Sequence, residues 1–163
     1  MKLALAGAGA FGRKHLAAIQ VIDGAEVTSI VDRPGGTQQS VAREYGIEHW
    51  SDNLADVLAL DEVDAVILAT PTQMHASQAI ACLEAGKHVL VEIPLADNLA
   101  DAEAVVDAQQ RTGKVCMVGH VRRFNPSHQW VHNKIQAGEF SIQQMDVQTF
   151  FFRRANRNAL GEP

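Results

Sequence analysis

Leu3-Ala4-Leu5-Ala6-Gly7-Ala8-Gly9-Ala10-Phe11-Gly12 is the stretch on which the fold turns. A short apolar run meets three glycines spaced G-x-G-x-x-G, and Phe11-Gly12-Arg13-Lys14-His15-Leu16 then opens a helical segment. Strand, glycine turn, helix is the context that lifts this motif above a chance match. Gly7 allows the tight turn, Gly9 lets backbone approach a pyrophosphate, and Gly12 lets helix and strand pack closely. The first amides of that helix have no partner inside it, and together with the helix dipole they favour an anion. A dinucleotide is the ligand this arrangement suits.

The next signal is an acid twenty residues beyond Gly12. Residues 25–31 alternate and are β-branched, which predicts a second strand, and Asp32 follows it. A carboxylate there accepts the ribose hydroxyls of NAD and repels a 2′-phosphate. Arg33 comes next, and a guanidinium fork suits a 2′-phosphate. The two side chains point opposite ways, so NAD and NADP both stay open. Asp32 taken alone favours NAD.

Working outward, the pattern is βα repeated. Helices are expected over 11–21, 37–45 (closed by Gly46) and 53–58, with Pro34-Gly35-Gly36 as a loop. Residues 63–69 read as a buried strand. Ala76, Ala79, Ile80 and Leu83 form one helical stripe that stops at Gly86. Residues 88–91 and 115–118 read as further strands. Ala102, Val105, Val106 and Gln109 mark a helix between them, with Asp101 and Glu103 in its first turn. Alternating strands and helices imply a doubly wound parallel sheet of the Rossmann kind over residues 1–124. Ligands in such sheets bind beyond the carboxyl ends of the strands.

The character changes at Asn125. A helix is expected over 127–137, ended by Gly138, followed by a long strand over 142–152 rich in aromatics. Nothing after it in the sequence offers a partner strand, and long unpaired apolar strands are avoided. The expectation is that 125–163 is a linker helix and the first strand of a truncated C-terminal α/β domain.

Composition narrows the classes. The chain has 163 residues, 47% hydrophobic and 20% charged, with a net charge of -5. That suits a globular domain and argues against a nucleic-acid footprint. No apolar run approaches membrane-spanning length. Met1-Lys2 leads straight into the first strand, which argues against a secretory leader, and a cytoplasmic location is expected. Cys82 and Cys116 lack metal-ligand spacing and read as buried thiols, and no metal site is expected.

The strand ends hold the candidate chemistry. Thr70-Pro71-Thr72-Gln73-Met74-His75 leaves the strand at 63–69, with Thr72 expected to cap the next helix and His75 in its first turn. Glu92-Ile93-Pro94 ends the following strand. His120 ends the last one, where a general base would reach a bound substrate. Arg122 with Arg123, and Arg153 with Arg154, are pairs whose planar forks suit carboxylates.

The segments 6–12, 70–75 and 85–96, three linked motifs in order, resemble the Gfo/Idh/MocA oxidoreductases. The resemblance implies a nicotinamide cofactor contacted by Gly7, Gly9, Ala10, Phe11, Gly12, Asp32, Arg33, Thr70, Pro71, Thr72, His75, Glu92 and Ile93. It also implies a C-terminal α/β domain that completes the substrate site and often the oligomer interface, so a homo-oligomer is expected through that sheet. One departure matters: members usually carry Glu-Lys-Pro where this chain has Glu92-Ile93-Pro94. Ile93 cannot assist proton transfer as that lysine does. Residues 91–97, 117–120, 122–128 and 143–154 are similar to members that oxidise a carboxylated cyclic hemiacetal in aromatic-compound degradation, generally with NADP. A hemiacetal hydroxyl is more acidic than a simple alcohol and needs less help from a base. On this reading His120 accepts the proton within residues 1–163, with a base from the C-terminal domain as the alternative, and Arg122, Arg123, Asn125, Arg153 and Arg154 face a small carboxylated substrate. Residues 1–163 alone are expected to show no turnover. A sugar or cyclitol dehydrogenase and a non-catalytic dinucleotide sensor stay open as rivals.

Overall fold

A computed structural model describes residues 1–148 of the chain. Six strands pair in the order β3-β2-β1-β4-β5-β6, and every pair is parallel. They are β1 (Lys2–Ala6), β2 (Glu26–Val31), β3 (His49–Ser51), β4 (Ala65–Leu68), β5 (His88–Val91) and β6 (Cys116–Val118). The helices α1 (Ala10–Ile19), α2 (Gln38–Tyr45), α3 (Leu54–Leu58), α4 (Thr72–Glu84) and α5 (Leu99–Thr112) alternate with them.

The two faces of β1 show why this sheet is buried on both sides. Leu3 and Leu5 join a core cluster with Leu16, Ile19, Ile30 and Val41. Ala4 and Ala6, one residue out of step, join another with Val66, Leu68, Leu83, Val91 and Val105. A period of two sends alternate side chains to opposite faces, and helices cover each. Cys82 lies in the second cluster, fully buried, and burial pushes its thiol pKa up to about 12. Burial raises the Cys116 thiol too.

The chain runs from β1 outward to β3, then returns and builds β4, β5 and β6 on the other side. The strand order therefore reverses between β1 and β4, and a crevice opens there at the carboxyl ends.

Several boundaries differ from expectation. Pro71, not Thr72, occupies the cap position of α4, with φ -60 and ψ 143, and no side chain caps the helix. Proline's ring presets that φ, and its carbonyl accepts from the Met74 amide at 2.9 Å. The helix starting there reaches Glu84, several residues ahead of its apolar stripe. In α5 the buried residues are Val105 and Ala108, while Val106 faces out; Asp101 lies in the first turn and Glu103 beyond it. Asn98 caps that helix by accepting from the Asp101 amide at 2.9 Å, a contact typically worth about 1 kcal/mol. Strand β3 was not foreseen.

Residues 1–120 form one compact unit and a second begins at Val121. Among its described residues the second holds a 3-10 turn, Val121–Phe124, and α6 (Pro126–Gln136). Trp130 meets Phe140 edge-on, ring centres 5.8 Å apart. The long strand expected over 142–152 is not formed in its described part: residues 142–148 pair with no strand among the described residues. A strand is defined by its ladder, and these residues have none. Positions 149–152 lie outside the described residues.

Candidate dinucleotide-binding site

The three glycines of the first turn differ in what surrounds them. Gly7 has φ 96, and a Cβ there would collide with the carbonyl oxygen of Ala69. Its amide donates to the Val31 carbonyl at 2.8 Å, so the turn is pinned between the ends of β2 and β4. A Cβ on Gly12 would run into the Gly7 carbonyl oxygen and lie 3.2 Å from Leu5 Cδ2. At Gly9 no atom lies within 4 Å of where a Cβ would stand. Gly9 also has an ordinary extended backbone, φ -73 and ψ -166, and sits at the cap position of α1. The fold does not require glycine at 9; clear space beside the backbone does. No side chain caps α1, so its first amides are left to donate to a ligand. These features fit the pyrophosphate of a dinucleotide.

A cavity of about 690 Å³ adjoins the turn. Ala6, Gly7 and Gly9 border it, with Asp32 to Thr37 on one side and Ala69, Thr70 and Pro71 on the other. The half-buried Asp32 carboxylate accepts from the Arg33 amide at 2.9 Å and from the Ala8 amide at 3.3 Å. These bonds hold it at the end of β2 with acceptor capacity to spare. The exposed Arg33 side chain follows on the same wall. Thr37 ties that wall to the glycine turn, its hydroxyl donating to the Ala8 carbonyl at 3.2 Å.

Several further residues shape the cavity. A Cβ on Gly36 would fall 2.8 Å from the Arg33 carbonyl oxygen and 2.9 Å from Asp32 Cγ, so this glycine shapes the wall that carries Asp32. Pro34-Gly35-Gly36, read only as a loop, was the available signal. Asp52, Asn53, Met74 and Gln78 also line the cavity. Gln78 accepts from the Thr70 hydroxyl at 2.6 Å.

Other expected site residues are placed differently. His75 is 1% exposed, with Nδ1 2.7 Å from the Pro94 carbonyl oxygen and Nε2 2.8 Å from that of Thr70. Its ring braces two loops and presents neither nitrogen to the cavity, which corrects the expected cofactor contact. Thr72 begins α4 and does not line the cavity. Ala10 opens α1, and exposed Phe11 carries the Lys14 ammonium 4.8 Å above its ring. Glu92 follows β5, and Oε1 lies 2.8 Å from His15 Nε2. Ile93 is half-exposed beside it, and His120 is exposed just beyond β6. No cluster of three metal-ligating side chains occurs among the described residues.

In the second unit Arg122 and Arg123 share the exposed 3-10 turn. Asn125 caps α6, its amide oxygen accepting from the amides of Ser127 at 3.0 Å and His128 at 3.4 Å. That oxygen is committed to the helix, while the Nδ2 donors are used by no hydrogen bond among the described residues. Arg153 and Arg154 lie outside the described residues.

A topological switch point with a glycine turn, an uncapped helix start and an acid at the end of β2 defines a nicotinamide-dinucleotide-binding Rossmann domain. The chain belongs to the Gfo/Idh/MocA family: residues 1–120 match the family described as "Oxidoreductase family, NAD-binding Rossmann fold". Residues 126–163 match "Bacterial oxidoreductases, C-terminal". The whole chain is 66% identical to 4-carboxy-2-hydroxymuconate-6-semialdehyde dehydrogenase of Sphingobium sp. strain SYK-6, covering 52% of that protein. It is 36% identical over 140 residues to the scyllo-inositol 2-dehydrogenase (NAD(+)) of Bacillus subtilis, covering 85% of this chain and 41% of that one. The fold matches the WlbA dehydrogenase from Bordetella pertussis, solved with NADH and UDP-GlcNAcA, with TM-score 0.80 and 34% identity. That match covers 85% of this chain and 42% of the other. The chain thus spans about half the length of the curated relatives it matches.

Proposed function

We propose that this chain is the cofactor-holding part of an NAD(P)-dependent dehydrogenase acting on the cyclic hemiacetal of 4-carboxy-2-hydroxymuconate-6-semialdehyde, with 2-pyrone-4,6-dicarboxylate as product. The observation that carries the reading is 66% identity along the entire chain to a relative of that name. When bound, the nicotinamide supplies a two-electron hydride acceptor. The α1 amides and the bare backbone at Gly9 hold the pyrophosphate, and Asp32 receives the adenosine ribose. Oxidising a hemiacetal to a lactone also releases the hydroxyl proton. His120 takes that proton at a ring nitrogen, since Ile93 has none to offer. Arg122 and Arg123 hold substrate carboxylates by paired hydrogen bonds. Assembly into a homo-oligomer through the C-terminal domain belongs to the same proposal.

The inositol dehydrogenases among the relatives favour a second reading, a neutral polyol as substrate. Assays of the full-length protein on each substrate in turn separate the two. The first reading expects NAD(P)-dependent oxidation of the carboxylated hemiacetal and none of myo-inositol. Oxidation of the polyol alone would support the second, and activity on neither would overturn both.

A further inference from the structure

We infer that His15 is a positioning residue: it holds the Glu92 carboxylate at the nicotinamide end of the crevice, where the second Glu92 oxygen receives a donor from the nicotinamide riboside. The inference rests on the dinucleotide reading above.

His15 lies one turn beyond Gly12 on α1, and Glu92 stands at the carboxyl end of β5. Their side chains are 22% and 18% exposed, and the contact is 2.8 Å. It joins residues 77 positions apart. A pair this sheltered differs from the exposed ion pairs elsewhere, such as Lys2–Glu62 and Arg111–Glu84, whose contribution is screened and small.

Only one carboxylate oxygen is used. Oε1 meets His15, while Oε2 has no hydrogen-bond partner among the described residues. That free oxygen reaches toward the end of β6, where a Cβ on Gly119 would lie 3.6 Å from it. Glycine at 119 leaves the space beside it unfilled.

The sheet order says what belongs in that space. Asp32 at the end of β2 marks the adenosine side, and the Gly7–Gly12 turn at the end of β1 marks the pyrophosphate. A dinucleotide laid across the switch point puts its other half over the ends of β4 and β5. There the Thr70 hydroxyl donates to Gln78, and the two His75 ring nitrogens lie against the carbonyl oxygens of Pro94 and Thr70. Glu92 Oε2 is a free carboxylate oxygen at that end, and ribose hydroxyls and the carboxamide NH2 are donors.

The test titrates NADH and ADP-ribose into the chain and its variants. ADP-ribose keeps the adenosine and pyrophosphate and lacks the nicotinamide. His15→Ala is expected to weaken NADH about tenfold and to leave ADP-ribose within twofold, the scale of one lost charge-assisted contact. His15→Gln, whose amide can still donate to Oε1, is expected to restore most of the NADH affinity. Glu92→Gln is expected to weaken NADH alone, and adding His15→Ala to it to cost little more. Equal weakening of both ligands, or unchanged NADH affinity in His15→Ala and Glu92→Gln, would overturn the inference. A wild-type chain that binds neither ligand would instead overturn the dinucleotide reading on which it stands.

Discussion

The two halves of the crevice are built in different ways. On the β1–β2 side the shape is set by backbone: Gly7 and Gly12 are glycine because neighbouring atoms leave no room, and Asp32 is tied down by two amides. On the β4–β5 side the shape is set by side chains that occupy one another, Thr70 with Gln78, His75 with two carbonyls, Glu92 with His15. The first half is a general device for gripping a diphosphate-linked ribose. The second carries Ile93, at the position where the resemblance implies lysine. Fold and cofactor class therefore follow from the first half, while the proposed reaction draws on residues of the second.

The backbone half breaks most severely. Gly12→Ala places a methyl group against the Gly7 carbonyl, so α1 must lift from the turn. We expect a loss of about 3 kcal/mol in chemical denaturation, at the upper end of overpacking effects. Binding of NADH and of ADP-ribose is expected to fall together. An unfolding midpoint within error of wild type would show that the helix is not packed as described.

Asp32→Ala probes the same half more gently. Removing one carboxylate should shift the NAD-over-NADP affinity ratio toward NADP by about 1–3 kcal/mol, read by parallel titrations of the two reduced coenzymes. An unchanged ratio would mean that Arg33, not Asp32, sets the preference.

A third effect lies in the core beneath both halves. The Cys82 thiol is pushed from 9.0 up to about 12 by burial. Its folded pKa is raised, so the stability it contributes is present below pH 9 and lost as pH rises toward 12. Across that window the unfolded chain releases a proton that the folded chain keeps, and the slope approaches about 1.4 kcal/mol per pH unit for this one group. Cys82→Ala should flatten the alkaline decline between pH 9 and 11 while lowering stability at pH 7. An equally steep decline in the variant would assign it elsewhere.

How far the sequence reveals this arrangement depends on the range of each signal. The glycine turn and Asp32 are legible because backbone geometry restricts residue type within a short window. Strand β3 is not, since three residues, His49–Ser51, carry no period to detect. Thr72 looks like a cap because threonine caps well, yet Pro71 with its preset φ takes the position. The His15–Glu92 contact is invisible for a different reason. His15 reads as one more polar residue on an amphipathic helix, and only the sheet order brings it to a partner 77 positions away. Asn125 is similar: beside paired arginines it reads as a substrate contact, and its role as the cap of the helix that follows shows only in the structure.

Gly9 tests the central claim most directly, because the space around it is clear for 4 Å and its backbone suits any residue. Calorimetric titration of NADH into wild type and Gly9→Val should show saturable one-to-one binding in the first and a loss of at least a hundredfold in the second, with both chains unfolding at the same midpoint. Undiminished binding in the variant, or none in the wild type, would contradict a diphosphate resting against that backbone.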